Sequence, residues 1–98
     1  MIRNVVMGRV HPQVPAEQVE AALQALRDLR VEGVQLHLVA GQDLGLREGN
    51  AGYAITVDVA DEDAYRAYDR DEEHNRIRRE LFAPISSSID RVQFRLPG

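Results

Sequence analysis

From Ile2 to Val10 the chain alternates. Ile2, Asn4, Val6, Gly8 and Val10 share one side, and Arg3, Val5, Met7 and Arg9 share the other. A period of two predicts a strand. His11-Pro12-Gln13-Val14-Pro15 breaks it, after which Val19, Ala22, Leu23, Leu26 and Leu29 repeat at the spacing of one helical face. That predicts an amphipathic helix to about Arg30, with Pro15 suited to its first turn. Alternation returns over residues 34–39, with Val34, Leu36 and Leu38 opposed to Gln35, His37 and Val39. Residues 41–50 are rich in glycine and polar residues and read as a loop. A third strand over Tyr53–Val59 puts Tyr53, Ile55, Val57 and Val59 together. Asp61 is placed to cap a short helix through about Tyr68, and a second short helix over residues 72–82 stops near Pro84. Beyond Ser86-Ser87-Ser88, a last strand sets Val92, Phe94 and Leu96 against Arg91, Gln93 and Arg95.

The predicted order is strand, helix, strand, strand, helix pair, strand, spread over residues 1–98 as one domain. This is the βαββαβ order of a ferredoxin-like sandwich, an α+β fold with helices on one side of an antiparallel sheet. The opposite sheet face carries Arg3, Val5, Met7, Arg9, Gln35, His37, Val39, Thr56 and Asp58. Left bare, it exposes Val5, Met7 and Val39, so a homodimer packed sheet against sheet is expected. His37 is expected at that seam, paired with Asp58 or with an arginine of the first or last strand.

Composition narrows the chemistry. At 44% hydrophobic and 29% charged, the 98-residue chain has the makeup of a soluble globular domain. It has no cysteine, which removes disulfides, thiol catalysis and thiolate metal sites. The net charge is −4, and all 12 basic residues are arginines, clustered only at Arg76, Arg78 and Arg79. Without a basic stripe, neither nucleic acid nor an anionic membrane is an expected partner. The amino terminus lacks the apolar run of a secretion signal, and a cytoplasmic location is expected. His11, His37 and His74 fall on separate elements, so no metal site is expected. The carboxylates Asp69, Asp71, Glu72 and Glu73 read as a solvated helix start neutralised by Arg76, Arg78 and Arg79.

Most informative is the stretch from Ala67 to Ile77. It places Tyr68 and His74 six residues apart across the junction of the two short helices. His74, Ile77 and Leu81 share one helical face. Tyr68 is in phase with Ala64 and Tyr65, so phenol and imidazole are both expected to point inward. Asn4 lies on the strand face beneath the helices. Gly8 adds no side chain there, which enlarges a pocket or admits a close neighbour. The expected pocket walls are Asn4, Val6, Gly8, Leu38, Ile55, Val57, Leu81 and Phe82.

Taken together, Met1-Ile2-Arg3-Asn4-Val5-Val6, the proline-marked helix start, the loop before Tyr53, Asp61-Glu62-Asp63-Ala64 and the Tyr68–His74 spacing resemble the stress-responsive dimeric α/β-barrel (Dabb) domain family. The resemblance covers the whole chain. It implies ferredoxin-like protomers that pair through their sheets into a barrel. In a polyketide cyclase of that family a tyrosine and a histidine at this spacing are catalytic, which matches Tyr68 and His74. A strand histidine of that cyclase is replaced by Asn4, and the histidine–proline between the pair by Asp71-Glu72. The resemblance therefore implies cofactor-free acid–base cyclisation of a hydrophobic β-keto ligand. Two alternatives stand beside it: a non-catalytic stress-responsive or ligand-binding dimer, and a cofactor-independent monooxygenase.

Overall fold

The computed structural model describes residues 1–97. Four strands form one antiparallel sheet in the order β2-β3-β1-β4: β1 (Ile2–Val10), β2 (His37–Gln42), β3 (Tyr53–Val59) and β4 (Ser86–Arg95). Helices α1 (Ala16–Arg27), α2 (Glu62–Arg70) and α3 (Glu72–Ile77) cover one face, and α3 runs on into a π-helical turn over Arg78–Phe82. The βαββαβ sandwich is thus the architecture expected. Among the described residues, no helix is long and apolar enough to cross a membrane.

Local chemistry explains the ends of the elements. Asp61 caps α2 by accepting from the Ala64 amide at 2.9 Å, and Asp71 caps α3 by accepting from the His74 amide at 2.9 Å. Pro15 precedes the first turn of α1 as its N-cap. That helix ends at Arg27, short of Arg30, and Leu29 still packs into the core from the following turn. The second strand begins at His37 rather than Val34 and runs to Gln42. Val31 and Val34 are bridged around Gly33, whose φ of +76° suits glycine. Leu36 is half-buried all the same, because alternation reports burial and ladder pairing begins only where β3 supplies partners.

The core lies between sheet and helices, where Leu23, Tyr53, Val57, Val59, Ile77 and Ile85 are the largest fully enclosed side chains. Gly8 is part of this packing. Tyr53 is its partner across the β1–β3 ladder, and the phenol ring lies over the glycine. A Cβ on Gly8 would sit 2.1 Å from Tyr53 Cζ. Gly8→Ala is therefore expected to destabilise the fold by about 1–3 kcal/mol through overpacking, read as a lower urea midpoint with an unchanged slope.

β4 decides the two faces of the sheet. Its register sets Arg91 opposite Val6, Gln93 opposite Asn4 and Arg95 opposite Ile2, so these polar residues lie on the helix side. Val92 and Phe94, opposite Val5 and Arg3, lie on the outer face. The arginines of the last strand are consequently remote from the expected seam. On the outer face Arg3 instead grips Asp58 through two bonds of 2.8 Å, with His37 opposite Asp58 in the ladder.

Candidate active site

Tyr68 ends on the inner side of α2, and His74 follows one turn into α3. The Asp71 cap holds the chain reversal between them. Both side chains are buried, and so is Asn4 on the strand below. The phenol and imidazole rings stack, with centroids 4.0 Å apart and planes tilted by 33°. Stacking fixes the plane of the imidazole without using the phenol hydroxyl. The His74 Nδ1 is enclosed without a hydrogen-bond partner among the described residues. Leaving a buried polar atom unpaired costs about 1–3 kcal/mol. A histidine kept for structure would ordinarily spend its nitrogens on neighbours.

The pair opens on a cavity of about 370 Å³. Val6, Leu26, Ile55 and Phe82 supply its apolar wall, and Asn4, Tyr65, Arg78, Arg79 and Arg91 its polar one. Asn4 accepts from Gln93 Nε2 at 2.7 Å through its carbonyl oxygen, and its own amide nitrogen has no acceptor among the described residues. Of the expected wall residues, Asn4, Val6, Ile55 and Phe82 line the space. Gly8 does not, because the Tyr53 ring fills the room above it. Val57 does not either, being sealed in the core.

Leu81 is corrected by the π turn. An unbroken α-helix places Leu81, four residues after Ile77, on the inner face. The wide turn, closed by the Ala83 amide to the Arg78 carbonyl at 2.9 Å, accommodates one extra residue. Phe82 takes the inward position, while Leu81 is half-exposed. The same turn carries Arg78 and Arg79 to the cavity. Arg76 stays on the outer side, paired with Glu73 and Glu80. Sequence reading missed Arg91, Tyr65 and Tyr53 as cavity residues. The signal for Arg91 was the β4 register, which follows only once Asn4 is matched to Gln93.

Burial, followed by the nearby Arg78 guanidinium, lowers the pKa of His74 from its ordinary value, against a weaker opposing pull from Asp69 and Asp71. Burial, with Tyr65 adding to it, raises that of Tyr68. At neutral pH the site therefore holds a neutral imidazole and a protonated phenol. The unfolded chain binds a proton at His74 near pH 6.5, whereas the folded chain does so only at lower pH. Stability should accordingly fall as pH drops below about 6.5. Asp58, its carboxyl held down by the Arg3 hydrogen bonds, loses its contribution only as pH falls from about 4. Urea midpoints across this range should show the upper step in the native protein and not in His74→Gln.

Comparisons with known proteins agree with this fold. The family model described as the stress responsive A/B barrel domain matches residues 2–95. A dimeric ferredoxin-like protein of Thermobifida fusca is 32% identical and superposes with a TM-score of 0.86, over 97% of this chain and 90% of that one. A Dabb family protein of Mesorhizobium loti is 19% identical, with a TM-score of 0.74 over 99% and 97% of the two chains. The hydroxynitrile lyase of Passiflora edulis is 16% identical, with a TM-score of 0.81 over 98% and 93%. At those last two identities the likeness is one of fold. No curated protein matches the sequence.

Proposed function

The chain belongs to the stress responsive A/B barrel domain family, and on that premise we propose that it is a homodimeric, cofactor-free acid–base catalyst acting on a small carbonyl compound with an apolar body. The observation that carries this reading is the buried His74 imidazole, its Nδ1 unpartnered, stacked on Tyr68 at a cavity of about 370 Å³. With Nδ1 enclosed, proton transfer falls to Nε2. Neutral His74 removes a proton from carbon between two carbonyls, and the electron pair moves onto oxygen as an enolate. The Tyr68 hydroxyl donates a hydrogen bond to that oxygen. The Asn4 amide, which does not titrate, holds the second carbonyl. In a β-keto chain the enolate carbon then attacks a further carbonyl of the same molecule. A carbon–carbon bond forms, and the new alkoxide takes the proton back from the imidazolium. Atoms and electrons balance without an oxidant, so this aldol-type closure is the polyketide-cyclase form of the reading.

The dimer is supported by the outer sheet face. There Met7, Val39, Val92 and Phe94 are 49%, 71%, 55% and 45% exposed, and large apolar side chains gathered on one open face mark an interface. The Thermobifida fusca protein of the same fold is itself dimeric.

Deuterium uptake tests the chemistry. The protein should accelerate exchange at the carbon between the carbonyls of a β-keto ester in deuterated buffer, followed by proton NMR. The rate should rise with pH and level off at a pH below 6.5, where free His74 becomes neutral. Exchange no faster than in buffer with bovine albumin would defeat the proposal and favour a non-catalytic ligand-binding dimer.

A further inference from the structure

The cavity has a feature that proton transfer does not use. Arg78 and Arg79 reach its mouth from the π turn, and Arg91 reaches it from β4 on the opposite side. Asp69 lines the same mouth. Its charge is matched by Arg78, 3.7 Å away, which also donates to Asn75 Oδ1 at 3.2 Å. Arg79 and Arg91 make no ion pair and no hydrogen bond among the described residues. Elsewhere Arg3, Arg27, Arg66, Arg76 and Arg95 pair with carboxylates, Arg9 and Arg30 bond backbone carbonyls, and Arg47 and Arg70, away from the cavity, make neither contact among the described residues. In a chain with 16 carboxylates and 12 arginines, two free guanidiniums converging on one cavity from separate elements is a distinct arrangement.

Arg91 is held there by register. Opposite Val6, it must point to the helix side of the sheet. Its charge acts on the phenols of Tyr53, Tyr65 and Tyr68, opposing the upward push of burial on each. The interior wall, by contrast, is apolar at Val6, Leu26, Ile55 and Phe82. The cavity therefore offers apolar wall and free guanidiniums together.

We propose that Arg79 and Arg91 form an anion subsite, so that the compound taken by this cavity bears a carboxylate at one end of an apolar body. The assignment rests on the cavity being the substrate site argued above. A guanidinium presents a planar fork of donors that matches a carboxylate, and such charge-assisted bonds are stronger than neutral ones. Arg78 is already engaged by Asp69 and serves to keep that carboxylate from repelling the ligand.

Calorimetric titration with 3-phenylpropionate and its neutral match, 3-phenylpropionamide, tests the assignment. The carboxylate should bind about tenfold more tightly or better, the scale of one charge-assisted hydrogen bond. In the double variant Arg79→Gln/Arg91→Gln, carboxylate affinity should fall to that of the amide, while amide affinity stays as in the native protein. Both positions are exposed, and circular dichroism confirms folding before titration. Equal affinity for the two probes, no measurable carboxylate binding, or a preference that survives in the double variant would each overturn the subsite. His74→Gln should keep the carboxylate preference. If deuterium uptake is absent in the native protein while this preference stands, it is the acid–base reading that has failed and not the subsite.

Discussion

Replacing His74 by glutamine should slow deuterium uptake about 10²–10⁴-fold, the share of a positioned general base, while shifting the melting temperature by only a few degrees. Glutamine fills most of the imidazole's volume and keeps hydrogen-bonding capacity, yet it cannot take a proton near neutrality. The native Nδ1 has no hydrogen bond to lose, so the stability change should stay within about 1 kcal/mol. Tyr68→Phe is the companion measurement. It keeps the stack on the imidazole and deletes the hydroxyl, for an expected loss of about 10²-fold through the missing donor to the enolate. The pH profile should keep its shape in Tyr68→Phe, because the base that sets it is untouched. Should His74→Gln unfold while Tyr68→Phe turns over like the native protein, the pair is a packing device and the catalytic reading falls.

Charging the outer sheet face should have the second large effect. Val39→Asp combined with Val92→Asp puts a carboxylate at either end of the cross-strand row through Thr56 and Val5, at positions that are exposed in the protomer. The protomer should fold as before. In a two-fold dimer each substitution occurs twice, so four carboxylates would be desolvated at the seam. Uncompensated charge at an interface costs several kcal/mol, and about 1.4 kcal/mol is a tenfold change in Kd. Sedimentation equilibrium should show native dimer and variant monomer at micromolar concentration, the constant moving about 10³-fold or more. A variant that remains dimeric would place the interface elsewhere.

Much of the fold was legible because burial imposes a period. The alternations at Ile2–Val10 and Tyr53–Val59 match the observed β1 and β3, since both strands carry one face against the helices. Helix starts at Asp61 and Asp71 were readable from short polar side chains that satisfy free amides. Where the period and the hydrogen-bond ladder part company, bounds moved. Val34 and Leu36 alternate as a strand does, yet β3 offers them no partners and β2 starts at His37. Leu81 and Phe82 were less readable still. Nothing in their identities announces a π turn, and an unbroken helix is the default spacing for Glu72 onward.

The candidate site divides the same way. The phase of Tyr68 and His74 within their helices foretold that both rings turn inward, because a helix presents its faces by arithmetic. The enclosure of Nδ1 without a partner and the displacement of Gly8 and Val57 from the wall depend on neighbours far along the chain. Tyr53 reaches Gly8 across 45 residues of sequence, and Arg91 reaches the cavity only because β4 is in register with Asn4 and Val6. Local pattern therefore determined most of the elements, the inner faces of β1 and β3 and the inward turn of Tyr68 and His74. Tertiary structure alone decided where the hollow lies, which face of β4 is oily and which arginines guard the opening. Strand register and one widened turn are set by the sum of distant contacts, and no single stretch of chain encodes that sum.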